Sequence, residues 1–184
     1  MLAHPLRQDI FICNHSGHAN KLYRNAGSNT WEDKSTAAGV ADTDHTYSAS
    51  ATDYDGDGDI DLFVGSGGGS NKADILYRND GGSFTAVTTA DIAQQHSFYK
   101  QTYGISWGDL NDDGIIDLIV AGANMGVKTF SGNGDGTECP FETGVQHLAG
   151  DISSSAHRGS AVLGDYDGDG DLARSTFCSA LFSD

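Results

Sequence analysis

The chain has 184 residues, which is enough for one ordinary domain with a substantial core. No apolar run approaches the roughly 18 residues that a membrane helix needs, so membrane insertion is not expected. The 26 acidic and 10 basic residues leave a formal charge of −16, which argues against nucleic acid and anionic membranes as partners, because both attract clustered Lys and Arg. Cys13, Cys139 and Cys178 have no metal-like spacing and predict at most one disulfide.

In chain order, the first predicted element is a short apolar strand at residues 9–13, and the same element returns at 61–65 and 117–121. Each of the two later copies directly follows an acidic loop, whereas no such loop stands before the first copy. This pattern indicates that the chain opens in the middle of a repeat.

A Leu-Tyr-Arg-Asn motif follows at residues 22–25, returns at 76–79 and is degraded to Phe-Ser-Gly-Asn at 130–133, at a step of 54 residues. After each copy come a Gly-rich turn and an aromatic residue that starts another predicted strand. These aromatic residues are Trp31, Phe84 and Phe141. A run of small and apolar residues precedes each acidic loop, so every repeat offers four strand-sized segments.

The segments are short, bounded by Gly, Asn and Asp, and rich in β-branched and aromatic residues, with no amphipathic helical stretch between them. They predict an all-β fold in which each repeat is one β-propeller blade of four antiparallel strands. We expect a single partial propeller domain over 1–184, with repeats at approximately 9–44 (partial), 45–100, 101–156 and 157–184 (partial).

Closed propellers have roughly four to eight blades, and this chain holds about three blades of a larger propeller. Either residues are missing from both ends, or several chains complete the ring. The repeat is lost abruptly at Ala173, where an Asp is expected, and the tail after Leu172 does not continue the pattern. This loss favours the first alternative, with a truncated or frame-shifted tail.

The three acidic loops occupy residues 53–61, 109–117 and 165–173, and half of the acidic residues lie in them. Oxygen donors at positions 1, 3, 5 and 9, a glycine at position 6 and a free carbonyl at position 7 suit Ca²⁺, which takes six to eight oxygen ligands. The predicted ligands are Asp53, Asp55, Asp57 and Asp61 with the carbonyl of Asp59 in the first loop; Asp109, Asn111, Asp113 and Asp117 with the carbonyl of Ile115 in the second; and Asp165, Asp167 and Asp169 with the carbonyl of Asp171 in the third.

The third loop has Ala173 at position 9, so we expect two strong calcium sites and one weaker site. The alternative to metal binding is that these segments are ordinary solvated Asp-Gly turns, but three copies in fixed register argue against it. A helical EF-hand is disfavoured because no Glu stands at position 12 and the flanking segments are strand-like.

The pattern Gly-Asp-x-[Asn/Asp]-x-Asp-Gly-x-x-Asp-Leu-x-Val, followed by Leu-Tyr-Arg-Asn and an Asn-Gly-Asp-Gly-Thr-like turn, resembles the FG-GAP/VCBS repeats. These repeats occur in integrin alpha propellers, cartilage acidic protein-like secreted proteins and many bacterial surface proteins. The resemblance covers nearly all of residues 9–172. It implies a seven- or eight-bladed propeller with calcium bound in the blade loops, acting outside the cell.

The leading hypothesis is a calcium-binding extracellular module for adhesion or for protein or glycan recognition, in which calcium is structural. The alternative is the propeller domain of a polysaccharide lyase-like enzyme or a lectin, with His45, Tyr47, Tyr103 and His157 at one mouth. No motif fixes an acid, a base or a nucleophile, so a binding module is favoured over an enzyme. A third hypothesis is that these residues cannot fold alone.

Overall fold

The computed structural model describes residues 7–67, 73–87, 101–123, 126–134, 145–148, 160–163 and 176–179. The regular elements in these ranges are β-strands, and each paired strand runs antiparallel to its neighbour. Nowhere in them is there a helix long and apolar enough to cross a membrane. The predicted all-β fold of antiparallel sheets is therefore confirmed.

The strands of the described residues form four consecutive sheets, which we number as blades. The first blade contains β1 (Ile10–Ile12), β2 (Lys21–Gly27) and β3 (Thr30–Asp33). The second contains β4 (Thr46–Thr52), β5 (Asp61–Ser66), β6 (Ile75–Asp80) and β7 (Ser83–Val87). The third contains β8 (Gln101–Gly108), β9 (Asp117–Ala123), β10 (Gly126–Phe130) and β11 (Val145–Leu148), and the fourth contains β12 (Ser160–Leu163) and β13 (Thr176–Ser179).

The second and third blades are four-stranded meanders, in the orders β4-β5-β6-β7 and β8-β9-β10-β11. Each acidic loop that the structure describes joins the first strand of its blade to the second, as predicted. Trp31 and Phe84 lie near the starts of β3 and β7, the last strands of their blades, as predicted, and Phe141 falls outside the described residues.

The second strand of each complete blade is buried along its whole length, because neighbouring blades cover both of its faces. Alternate side chains of a strand point to opposite faces. Leu62 and Val64 accordingly pack against the first blade, in a cluster with Ala38 and Val40. Phe63 packs the other way, against Leu118 of the third blade.

The third blade repeats this division of one apolar strand between two interfaces. Leu118 and Val120 face the second blade, where Trp107 meets the ring of Phe63 edge-on at 6.2 Å. Ile119 and Ala121 face the fourth blade. The core is therefore a series of inter-blade layers, and each layer draws on alternate residues of a continuous apolar run.

A buried polar contact joins consecutive blades and recurs at equivalent positions. Thr102 on β8 donates its hydroxyl to Asp74, just before β6, at 2.7 Å. One repeat earlier, Thr46 on β4 donates to the side chain of Asn20, just before β2, also at 2.7 Å. Neither contact was predicted from the sequence. In the third blade the residue equivalent to Asp74 is the buried Val127, according to the pairing of the second and third strands.

The degraded third copy of the Leu-Tyr-Arg-Asn motif is offset by one residue from the predicted alignment. Tyr77 lies opposite Leu62 on the neighbouring strand, and Phe130 lies opposite the equivalent Leu118. Phe130 therefore corresponds to Tyr77, at a step of 53 residues and not 54. The reason is a shorter connection between the second and third strands, which spans 124–125 in the third blade and 67–74 in the second.

The chain forms a strand after Ala173, although the repeat pattern is lost there. β13 pairs antiparallel with β12, and Thr176 lies opposite Leu163. In the second blade the equivalent of Leu163 is Ala51, which lies opposite Leu62. Counting from the acidic loops, β13 stands two residues later than the repeat predicts. The predicted repeat boundaries and the origin of the tail stay predictions.

Candidate metal centre

Both acidic loops in the described residues have the same backbone shape. Residues at positions 4 and 6 have positive φ: 74° at Gly56 and 95° at Gly58, and 60° at Asp112 and 82° at Gly114. A Cβ at Gly58 or Gly114 would meet no atom within 4 Å, so the backbone conformation, and not space, favours glycine at position 6. Asp112 is one of the few residue types that tolerate this conformation.

The carboxylate at position 1 is held by the loop's own backbone. Asp53 accepts hydrogen bonds from the N–H of Gly56 at 2.8 Å and of Gly58 at 3.0 Å. Asp109 accepts from the N–H of Asp113 at 3.1 Å and of Gly114 at 2.7 Å. The loop is thus wound around its first side chain.

Positions 3 and 5 are held in a similar way. In the first loop Asp57 N donates to Asp55 at 3.2 Å, and Asp59 N donates to Asp57 at 2.8 Å. In the second loop Asn111 and Asp113 accept from the backbone two residues further on, at 3.1 and 2.8 Å. Short side chains that bond the backbone in this manner stabilise tight turns without any metal.

The carboxylate at position 9 is buried and joins the acidic loop to the second and third strands of the blade. Asp61 is 1% exposed and accepts from the N–H of Tyr54, at the start of the loop, at 3.1 Å. Its other oxygen accepts from the N–H of Asn79, on the third strand of the blade, at 2.8 Å. Asp117 makes the same two contacts, with Leu110 N and Gly132 N, each at 2.8 Å.

Asn79 also fastens the first loop through its side chain. Its amide donates to the carbonyl of Ile60 at 2.9 Å and accepts from Gly82 N at 2.8 Å, while Gly81 N donates to the side chain of Asp59 at 2.7 Å. The sequence places Asn79 in the Leu-Tyr-Arg-Asn motif, but its contacts with the loop were not predicted from it. The recurrence of Asn25 and Asn79 as the last residue of the Leu-Tyr-Arg-Asn motif was the available signal.

Three predicted ligands of the first loop converge. Asp53, Asp55 and Asp61 each offer one carboxylate oxygen, and these oxygens all lie within 4.8 Å of one another. Oxygens that share one Ca²⁺ at 2.3–2.6 Å must lie within about 5 Å of one another, so the spacing fits this ion. Within the described residues, neither Asp57 nor the acidic residues of the second loop belong to such a group. Residues 165–173, with the third set of predicted ligands, lie outside the described residues.

The first loop concentrates negative charge in a partly buried place. Burial raises the pKa of Asp61 to about 6 against the opposing effect of its two backbone hydrogen bonds, and repulsion from Asp55 and Asp57 adds to the rise. Burial likewise raises the pKa of Asp55 and of Asp117. A bound divalent cation offsets such repulsion. At Asp109 burial favours a higher pKa, but backbone hydrogen bonds to the carboxylate outweigh this effect and lower the pKa.

Of the four residues predicted at a propeller mouth, Tyr47 and Tyr103 lie in contact. The rings of Tyr47 on β4 and Tyr103 on β8 stack in parallel, with centroids 5.2 Å apart and an interplanar angle of 7°. The ring of His45 lies 6.4 Å from that of His15, and its carbonyl accepts from Gly67 N at 2.5 Å. His157 lies outside the described residues.

The FG-GAP-like repeat family matches the chain three times, over residues 7–64, 53–120 and 109–172. The chain belongs to the FG-GAP-like repeat family. The matches overlap at 53–64 and 109–120, the stretches that contain the two described acidic loops and the start of the strand after each. The family unit thus runs from one acidic loop into the next, and the resemblance inferred from the sequence is confirmed. No curated protein is detectably similar to the chain.

Proposed function

We propose that this FG-GAP-like protein is a calcium-binding, propeller-type module that acts outside the cell in adhesion or in recognition of a protein or glycan. The observation that carries the proposal is the convergence of Asp53, Asp55 and Asp61 in a loop that the sequence repeats. These side chains offer only oxygen donors, which is the chemistry of a hard cation.

The first loop would hold calcium through Asp53, Asp55, Asp57 and Asp61 with the carbonyl of Asp59. The second would use Asp109, Asn111, Asp113 and Asp117 with the carbonyl of Ile115, and the third Asp165, Asp167 and Asp169 with the carbonyl of Asp171. The second loop has an amide at position 3 and therefore one charge fewer among its ligands. Bound calcium would supply positive charge that neutralises the clustered carboxylates.

Calcium's role in this proposal is structural. Asp61 already ties the start of the loop to the third strand, and an ion held by the same carboxylate would secure both contacts. Extracellular modules commonly bind calcium at about 10⁻⁴–10⁻³ M, an affinity that suits a permanently calcium-rich environment. Calcium would then be a fixed part of each blade and would not act as a switch.

Calcium is expected to raise the free energy of unfolding by about 2.7 kcal/mol for each site when its concentration is 100 times the dissociation constant. Urea unfolding in calcium and in chelator measures this difference. Asp57→Asn removes the charge of a predicted ligand at an exposed position and should reduce the calcium effect while leaving the stability in chelator nearly unchanged. Identical unfolding of the unsubstituted protein in calcium and in chelator would refute the calcium proposal.

Glycan binding has a specific observation in its favour. Tyr47 is exposed and stacks on Tyr103, so adjacent blades present two aromatic rings together. Aromatic rings offer apolar faces on which sugar rings can pack. On a glycan array we expect Tyr47→Ala to lose signal at least tenfold and Trp31→Ala, which removes an exposed aromatic side chain on β3, to keep it.

A polyuronate-cleavage assay tests the enzyme alternative. Turnover by the unsubstituted protein that His45→Ala abolishes would support that alternative.

A further inference from the structure

Tyr47 and Tyr103 are the extra residues of two equivalent β-bulges. The antiparallel register between β4 and β5 skips Tyr47, and the register between β8 and β9 skips Tyr103. Each tyrosine stands six residues before the first Asp of the acidic loop that follows, Asp53 or Asp109. A bulge re-aims the side chain of its strand, and bulges are common beside active sites. Adjacent blades thus use the same backbone irregularity to place a tyrosine.

The two bulges are fastened to each other. Ser48, directly after Tyr47, donates its hydroxyl to the carbonyl of Thr102, directly before Tyr103, at 2.8 Å. The space around this bond depends on a glycine, because a Cβ at Gly65 would collide with the Ser48 hydroxyl and lie 2.9 Å from the Thr102 side chain. The backbone that carries both tyrosines is therefore fixed before any ligand binds, which lowers the entropic cost of binding.

The two rings form a rigid pair with one accessible face. They stack with centroids 5.2 Å apart and an interplanar angle of 7°, and the Tyr103 hydroxyl donates to the side-chain oxygen of Gln101. Tyr47 is 40% exposed although one face of its ring rests on Tyr103, so the opposite face is open to solvent. A tyrosine held in this way offers a large contact area at little further cost in conformational entropy.

The tyrosine pair lies far from the acidic loops. Tyr47 and Asp53 stand at opposite ends of β4, and six residues of a strand span about 20 Å. Tyr103 and Asp109 are separated in the same way along β8. A calcium ion in an acidic loop is therefore too distant to bridge the protein and a ligand on Tyr47. Binding at the tyrosine pair needs no metal contact.

Two histidines at the same end of the sheets supply polar groups. His45 stands two residues before Tyr47, and its ring lies 6.4 Å from that of His15, in the connection between β1 and β2. This connection is attached to β4, because Thr46 N donates to the carbonyl of Asn14 at 3.1 Å. Imidazole nitrogens donate to hydroxyl groups or accept from them. An aromatic face beside a few polar groups is the usual composition of a small-molecule site.

The charge of the chain bears on the class of ligand. The 26 acidic and 10 basic residues give a formal charge of −16, and a field of this sign lowers the local concentration of anions. The open face of Tyr47 offers an apolar surface, which suits the C–H groups on one side of a pyranose ring. An uncharged pyranose therefore fits these residues better than a uronate does.

We propose, building on the glycan recognition proposed above, that the tyrosine pair is a calcium-independent binding site for an uncharged pyranose. The C–H face of the sugar packs on the open face of Tyr47, and His15 and His45 exchange hydrogen bonds with its hydroxyl groups. Tyr103 is a positioning residue, which supports the Tyr47 ring from the side away from the sugar.

Saturation-transfer NMR on the full chain tests the class of sugar. The uncharged probes are the methyl β-glycosides of glucose and galactose, and the anionic probe is methyl β-glucuronide, which differs from the glucoside only at C6. Transfer to the C–H groups of an uncharged probe is expected, and it should exceed transfer to the glucuronide. No transfer to either uncharged probe, or stronger transfer to the glucuronide, overturns the proposal.

Substitutions at Tyr47 locate the site. Tyr47→Ala should weaken the transfer about tenfold, whereas Tyr47→Phe, which keeps the ring, should retain it. Trp31→Ala is the matched control, since Trp31 is 43% exposed on β3 and lies outside the tyrosine pair. It should leave the transfer unchanged. Equal transfer in Tyr47→Ala and in the unsubstituted protein would place the sugar elsewhere and so overturn the assignment.

The positioning role of Tyr103 has its own test. In an NMR titration with the uncharged glycoside that binds, Tyr103→Ala should raise the dissociation constant about threefold to tenfold, the range expected from loss of an aromatic stack. Tyr103→Phe loses only the hydrogen bond to Gln101 and should restore most of the affinity. Thermal unfolding of both variants separates affinity from stability. Equal dissociation constants for the two variants would contradict the role of the stack.

The titrations are run in calcium and in chelator, at a temperature at which circular dichroism shows folded sheets in both. The same dissociation constant is expected in both conditions, and loss of sugar binding in chelator by folded protein overturns the calcium independence. The outcomes also separate this site from the calcium proposal. Sugar binding by a protein that calcium does not stabilise removes only the calcium function, and calcium stabilisation without sugar binding removes only the site on the tyrosine pair.

Discussion

Replacing Asp61 with alanine is expected to lower the free energy of unfolding by about 4 kcal/mol. The substitution removes the acceptor of two backbone N–H groups, those of Tyr54 and Asn79. Each donor left unsatisfied in a buried place costs about 1–3 kcal/mol. The effect is large because a single carboxylate connects the acidic loop, the second strand and the third strand of the blade.

Urea unfolding in chelator isolates this effect from any loss of calcium. Asn79→Ala is the matched control, since it removes the side-chain bonds to the carbonyl of Ile60 and the N–H of Gly82 but keeps the backbone N–H that Asp61 accepts. We expect it to cost about 1 kcal/mol. Equal losses for the two variants would show that Asp61 does not serve as the buried acceptor described here.

Replacing Phe63 with alanine is expected to cost about 3–5 kcal/mol, the range for truncating a buried aromatic side chain. Phe63 is 0% exposed and packs with Leu76, Trp107 and Leu118 in the layer between the second and third blades. The cavity would open in the middle of that layer, where rigid strands on both sides prevent collapse. The loss should therefore extend to the contact between the two blades.

The matched control is Phe84→Ala, which removes the same side chain from a half-buried position on β7, edge-on to Tyr77. It should cost roughly half as much, because less apolar surface leaves water when Phe84 folds into place. Denaturant unfolding measures both variants, and near-ultraviolet circular dichroism in a Trp31→Phe background, which leaves Trp107 as the one tryptophan, reports on the layer itself. An unchanged Trp107 signal in Phe63→Ala would contradict the packing argument.

Local chemistry made the strands and the acidic loops predictable. Aspartate and glycine at fixed positions determine the shape of each loop, with positive φ at Gly58 and Gly114, and short apolar runs determine the strands that follow. The convergence of Asp53, Asp55 and Asp61 follows from that shape. These features depend on residues within nine positions of one another, so one copy of the motif carries the necessary information.

Features that depend on connection length or on two blades at once could not be predicted in the same way. The equivalence of Phe130 and Tyr77 depends on a short connection that no motif marks. The contact between Asp74 and Thr102 joins residues of different blades, and neither residue is distinctive alone. The register of β13 likewise follows from pairing with β12 and not from the repeat.

The division of β5 between two interfaces limits where this protein can gain or lose residues in evolution. One residue inserted into β5 between Asp61 and Leu62, with Asp61 kept in its contacts, would turn Leu62 and Val64 away from the first blade and exchange the two packing layers. The connection between the second and third strands has no such limit, and it already differs in length between 67–74 and 124–125. Insertions and deletions among related blades should therefore collect in that connection, leaving the apolar second strands uninterrupted.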